Sequence, residues 1–296
     1  MHVLHRTFSS WYVRVAGFVL LAVLLVSVLG SALAPDDPLA QDVDHTFAPV
    51  GTAGHLLGTD YLGRDVLSRL MVGARPSVLG ALAMVAVGLV LGALPGVLSA
   101  FSGRLAEFGL LRTTDAFMTL PPIVFAIAVA GLFTNGELAA ILAVGVLLAP
   151  RFFRIARAEA LGFAHTQYVE AATLLGASRW WVVRRHVVRK VLPTVAVTTA
   201  TATGLAVLAS ASLGFLGLGV AAPDPTWGGM LASDVDYLAD DRLAPIWPGL
   251  CIALTVWALN VIADGLRDGL AVRSGVASTV GEPEALLLGE GAMERA

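Results

Sequence analysis

The chain contains several stretches of about 20 residues with no charged side chain, a length that spans a bilayer and that a soluble core does not need. Between these stretches the charges crowd together. Only 14% of the 296 residues are charged and 57% are hydrophobic, whereas a soluble domain carries roughly a quarter charged residues. The mean hydropathy is +0.79. The charge-free runs predict six spans, at residues 15–34, 77–101, 116–134, 138–150, 193–220 and 245–263. Between residues 116 and 150 the only charge is Glu137. One helix there would be about 52 Å long, too long for a hydrocarbon core of about 30 Å. Asn135-Gly136-Glu137 has turn chemistry and predicts a tight hairpin. The fourth span then extends through Arg151 toward Arg154, with those side chains snorkelling to the surface. The expected fold is an all-α polytopic membrane protein with six transmembrane helices.

Six spans put both termini on one side, and positive charge selects that side as cytoplasmic. It holds Arg6 and Arg14, then Arg104 and Arg112, then the basic loop 151–192, then Arg267 and Arg273. The opposite loops are mainly acidic, with Asp36, Asp37, Asp42, Asp44, Asp60 and Asp65, then Asp224, Asp234, Asp236, Asp240 and Asp241. The first apolar run follows Arg6 and Arg14 as a signal peptide would. It is too long for a typical signal core, so it reads as a retained span. Three regions follow. Residues 1–76 hold the first span and an external amphipathic segment, in which Thr59 or Asp60 would cap a short helix 64–72 lying flat on the outer surface. Residues 77–273 form the core with five spans and the basic loop. Residues 274–296 form a flexible cytoplasmic tail.

The long loop has legible local physics. Residues 169–175 favour helix, Gly176 suits a C-cap, and Ser178 can cap a second helix. In that helix Trp181, Arg185 and Val188 share one face, and Trp180, Arg184 and Val187 share the next. The arginines suit anionic headgroups and the short helix suits a protein groove. Periodicity alone leaves two readings, a surface anchor and a docking element. The residue pattern adds to this. Glu170-Ala171-Ala172 followed by Gly176 resembles the EAA motif of importer permeases in the ABC transporter superfamily. The resemblance implies that Glu170, Ala171, Ala172, Leu175, Gly176, Ala177 and Ser178 form the coupling element that docks an ATPase, with Arg179, Arg184, Arg185 and His186 as its basic face. Where that family continues Ile-Leu-Pro after the histidine position, this chain has Val187, Val188 and Arg189, and proline arrives at Pro193, where the fifth span is expected to begin.

Longer strings narrow the resemblance. Gly58-Thr-Asp-Tyr-Leu-Gly-Arg-Asp-Val-Leu-Ser-Arg-Leu70 closely resembles the C-type permease of dipeptide, oligopeptide and nickel importers. Segments 114–122, 213–230 and 247–268 agree, so the resemblance covers about residues 15–273. It implies a type I importer permease fold and a permease in the bacterial plasma membrane with both termini cytoplasmic. The implied partners are a second, non-identical permease, two ATP-binding subunits and an extracytoplasmic substrate-binding protein. Physics assigns Gly214, Gly217 and Gly219 either to close packing or to a gate near the path, with Trp227 beside them. Asp115 reads as a helix cap, and Asn260 and Asp264 as interhelical hydrogen-bonding groups.

Several chemistries are excluded. A phosphate-binding loop needs Gly-x-x-x-x-Gly-Lys-Ser/Thr, and the only lysine, Lys190, is flanked by Arg189 and Val191. ATP and Mg would therefore be bound by partner subunits, with no cofactor in this chain. The histidines show no metal-ligand spacing, so no metal is expected. The lone Cys251 reads as a small buried hydrophobe. A net charge of −3 argues against nucleic acid. A secondary carrier or channel, the alternative class, would need an intramembrane ionisable pair, which the charge-free cores do not supply. Within the family, cargo stays open among peptides, nickel chelates and glutathione.

Overall fold

A computed structural model describes residues 10–130, 132–133, 135–164, 166–167, 169 and 174–271. The helices are α1 (Trp11–Leu33), α2 (Val66–Ser99), α3 (Arg104–Met118), α4 (Pro122–Ala130) and α5 (Gly136–Ala164). They are followed by α6 (Arg179–Val182), a π-helical turn Val183–Val187, α7 (Val188–Phe215), α8 (Trp227–Asp236) and α9 (Ile246–Ala271). Among the described residues five helices are long and apolar enough to cross a membrane, and there is no strand beyond two isolated bridges. The two ends of the bundle differ in build. One is the cap end, where residues 34–65 and α8 sit. The other is the loop end, where α5 leads toward α6.

The central contact is between α2 and α5, and glycine permits it. Gly88, Gly92 and Gly96 recur every fourth residue and so share one stripe of α2. A Cβ on Gly92 would collide with the Ala149 carbonyl, and one on Gly96 with that of Phe153. On Gly88 it would lie 2.9 Å from the Gly145 carbonyl. Lipid offers no hydrophobic drive for helix association, so backbone proximity and dispersion must hold such a pair. Phe152 is fully buried beside this seam, in a core that also takes Val78, Met84, Ala143, Val207 and Trp227.

Three span expectations change. The external helix 64–72 is not a separate surface element but the start of α2, which runs unbroken from Val66 to Ser99 through Pro76 and Pro95. Its cap is Asp65, whose carboxylate accepts from Ser68 N at 2.7 Å, rather than Thr59 or Asp60. The expected third span, 116–134, is not one helix. α3 stops at Met118 and α4 begins at Pro122, because Pro121-Pro122 removes two backbone donors and disfavours helix at Leu120. The fifth span does not start at Pro193. The chain is helical from the loop through the π turn to Phe215, with Pro193 inside α7.

The cap end is organised by buried charge. Asp60 accepts from Arg64 N at 3.0 Å and Arg64 Nε at 2.7 Å, and Arg69 Nε lies 3.4 Å from it. Arg69 also donates to the Pro38 carbonyl at 3.0 Å. Tyr61 stacks on Tyr237 beyond α8, with centroids 4.6 Å apart. Thus the string 58–70 ties residues 36–60 to the start of α2. Nearby, burial and then the carboxylates of Asp60 and Asp241 push the Asp234 carboxyl up to about 7, against the pull of Arg69.

Gly92→Leu should cost about 1–3 kcal/mol by forcing α2 from α5, whereas Gly109→Ala, inside α3 and facing open space, should cost nothing. Thermal unfolding in detergent reads both. A second expectation concerns pH. Below its ordinary value of 3.8 Asp234 is protonated in both states and contributes nothing. Between that value and about 7 the folded chain holds a proton the unfolded chain has released, so stability falls as pH rises, and the loss is complete above 7. Asp234→Asn should therefore raise the unfolding midpoint at pH 8 and leave it unchanged near pH 3.5.

Candidate docking loop and path residues

The loop-end element is built from local rules. Glu170, Ala171 and Ala172 lie outside the described residues. Leu175, Gly176, Ala177 and Ser178 lie within them. Gly176 sits at φ +85°, the left-handed conformation a helix-ending glycine supplies without steric cost. Ser178 then starts the next helix. Its hydroxyl accepts from Trp181 N at 3.3 Å and its carbonyl from Val182 N at 3.1 Å. The Ser178 cap is as expected and the φ of Gly176 suits a C-cap, while most of the expected helix 169–175 lies outside the described residues. Leu174 and Leu175 are 88% and 89% exposed at the tip, the least covered of the large apolar side chains there. The sequence pointed to Leu175 and not to Leu174.

The basic face is partly as expected. Arg184 and Arg185 are exposed, and His186 is half-buried with its ring edge-on to Trp181 at 5.2 Å. The side chain of Arg179 is outside what the structure describes. The π turn Val183–Val187 was not foreseen, and it shifts the register. Val183 and Val187 are both buried, four apart, while the Val188 N–H reaches back to the Val183 carbonyl. Such turns insert one residue into a helix without breaking it.

The three arginines of α5 do not snorkel freely. Arg154 pairs with Asp115 of α3 at 2.7 Å. Asp115 is thus an ion-pair partner in the last turn of α3, not a cap. Arg157 reaches Ser99 Oγ at 3.0 Å and pairs with Glu107. Arg151 turns inward to Thr201 Oγ1 of α7 at 3.2 Å. No spacing in the sequence joins these positions, because each pair is some 40 to 60 residues apart.

Gly214, Gly217, Gly219 and Trp227 meet at the cap end. Gly217 is a helix-ending glycine at φ +74°, with Leu218 N donating to Leu213 O at 2.8 Å and Gly217 N to Gly214 O at 3.0 Å. That pair of bonds closes the end of α7. Gly214 faces Thr226 and Gly228, and Gly219 abuts Gly136. Trp227 is 3% exposed, donating from its backbone to Ser77 Oγ and from Nε1 to the Leu70 carbonyl, each at 3.0 Å. As placed, it bolts α8 to α2. Asn260 bonds the Val256 carbonyl of its own helix at 2.9 Å rather than a neighbouring helix, and Asp264 pairs with Arg267 one turn on. One cluster escaped the spacing argument. Asp36, His55 and Asp65 bring ligand-type atoms within 4.8 Å of one another. There Asp65 is already occupied by Ser68 N and by His55 Nδ1 at 3.0 Å.

The comparisons with known proteins agree with this build. A family model described as binding-protein-dependent transport system inner membrane component matches residues 88–274. The probable D,D-dipeptide transport system permease of Escherichia coli K12 is 35% identical over 257 residues, covering 87% of this chain and 86% of the relative. The nickel transport system permease of the same strain is 32% identical over 263 residues, covering 88% and 94%. An inward-facing structure of the MetNI methionine ABC transporter superposes with a TM-score of 0.58 at 19% identity, over 68% of this chain and 96% of that one, a likeness of fold. The helical bundle and these matches make the chain a member of the family of binding-protein-dependent transport system inner membrane components.

Proposed function

We propose that this permease serves an ATP-driven importer of di- and oligopeptides, forms half of the translocation path with a second permease, and docks an ATP-binding subunit through residues 170–178. The observation that carries the docking reading is the tip itself. Two leucines stand almost fully exposed on a turn fixed by Gly176 and Ser178, above a helix with Arg184 and Arg185 outward. Exposed apolar knobs on a rigid turn suit a protein groove better than water. The loop end is then cytoplasmic, as are both termini, and residues 34–65 with α8 face a substrate-binding protein outside. ATP and Mg act on the partner subunits. ATP-driven closure would carry the two docking loops together and swing the path as rigid bodies. The peptide reading draws on the dipeptide-transporting relative. The nickel relative, at nearly equal identity, favours a second reading in which the cargo is a chelated metal.

Glu170→Lys, Gly176→Trp and Leu175→Asp should leave membrane insertion intact and cut peptide uptake by the assembled transporter. Leu175→Asp should cost about 30-fold, as loss of a central anchor worth about 2 kcal/mol implies. Ordinary uptake by all three would end the docking reading. The purified chain alone should hydrolyse no ATP, and turnover above the no-protein control would contradict the missing phosphate loop. A ligand screen on the cognate binding protein separates peptide from metal cargo.

A further inference from the structure

An open cavity of about 920 Å³ lies between the loop-end halves of α5, α7 and α9. Its size is that of a ligand pocket. Arg189, Lys190 and Arg267 line it, with Glu159 as the one acid in the lining. Arg267 is paired with Asp264, but Arg189 and Lys190 make no ion pair among the described residues. Thr194 and Thr198 complete a polar wall on α7, each one or two turns from Thr201.

Arg151 and Thr201 do not line the cavity but lie one turn beyond its lining on α5 and α7. Arg151 lies one turn above Ile155, a lining residue on the same face of α5, and its partner Thr201 lies one turn above Thr198. Both lie inside helices long and apolar enough to cross a membrane, Arg151 about 22 Å from the start of α5 and Thr201 about 21 Å from the end of α7. Ionisable groups within such helices face water-filled cavities and mark substrate routes. Arg154 and Arg157 on the same helix each have a carboxylate partner. Arg151 has a neutral hydroxyl, which takes one of its five N–H donors and supplies no countercharge.

We propose that this cavity, continued by Arg151 one turn beyond its lining, is an anion-binding stretch of the translocation path that holds the C-terminal carboxylate of a peptide in transit. The proposal rests on the peptide-permease reading above. A guanidinium with free donors matches a carboxylate in charge and in planar geometry. Arg189, Lys190 and Arg267 then form the exit, drawing the released anion toward the loop end. The hydroxyl of Thr201 orients Arg151 and is dispensable for the charge.

Two measurements test this on the complete transporter, reconstituted with its partner subunits and binding protein. The first is uptake of labelled dialanine. Arg151→Gln should lower uptake at least tenfold, by about 1.4 kcal/mol or more, while ATP hydrolysis stays stimulated by the loaded binding protein. Arg151→Lys should recover part of the uptake, and Thr201→Val should stay within about twofold of the unaltered transporter. Unchanged uptake in Arg151→Gln overturns the proposal, as does an equal loss in Thr201→Val, which would make Arg151 a brace between helices. The second uses Ala158→Cys in a Cys251→Ala background, labelled with an anionic and a cationic methanethiosulfonate of similar size. The anionic reagent should react faster at low salt, and Arg189→Gln with Lys190→Gln should abolish its advantage. Equal rates before that change overturn the anion cavity. Should the unaltered transporter move no peptide, the peptide reading falls, and the labelling rates still decide whether the cavity selects anions.

Discussion

The seam of α2 against α5 is the contact on which the rest of the bundle depends. Gly88, Gly92 and Gly96 let the two backbones approach until a single added methyl would strike a carbonyl. α2 carries the charged cap at one end and reaches the basic end of α5 at the other, where Ser99 receives Arg157. α5 in turn holds α3 through Arg154 and Arg157, and meets α7 through Arg151. Displacing α2 from α5 would therefore disturb both ends at once. In a bilayer no exclusion of water restores such a contact, so close packing has to supply it.

Charge is used differently at the two ends. At the cap end Arg64 and Arg69 are buried against Asp60, Arg69 also against the Pro38 carbonyl, and Asp65 is held by Ser68 N and His55, which gives residues 34–65 a fixed seat on α2. Removing one partner from such a set leaves a buried charge uncompensated, which costs more than the pair contributes. At the loop end Arg184, Arg185, Arg189 and Lys190 stay exposed, available to headgroups, partners or cargo. Between those ends Arg151, unlike Arg154 and Arg157, has a hydroxyl and no carboxylate as its partner among the described residues.

What could be read in the sequence was mostly local. The turn at Gly176, the cap at Ser178 and five of the six expected apolar helices follow from neighbours within one or two turns, and the structure has them. The resemblance located the family from long strings, and the structure gives one of those strings, residues 58–70, a physical task in building the cap. Span boundaries were legible only where no proline intervened. Pro76 and Pro193 read as boundaries yet lie inside helices, because membrane helices tolerate proline when neighbours support them. α3 was hidden by its own charges. Arg104 and Arg112 read as loop and Asp115 as a cap, until Arg154 and Arg157 are seen to balance Asp115 and Glu107. The glycine stripe at 88, 92 and 96 was visible in principle as a four-residue repeat, but its partner on α5 was not. The inward turn of Arg151 depends on Thr201, a contact no local pattern encodes.

The helix that begins beside the Gly176 turn does not end with the loop. It runs from Trp180 to Phe215 as one 36-residue helix that carries the π turn and Pro193 in its first half. Its length is roughly 54 Å at 1.5 Å per residue, so a tilt of about 5° about one end moves the other by roughly 5 Å. A push on the exposed leucines is thus delivered as leverage on Gly214 and the seat of α8 on α2. The stiffness of this one segment sets how far a small displacement at the loop is magnified across the bilayer.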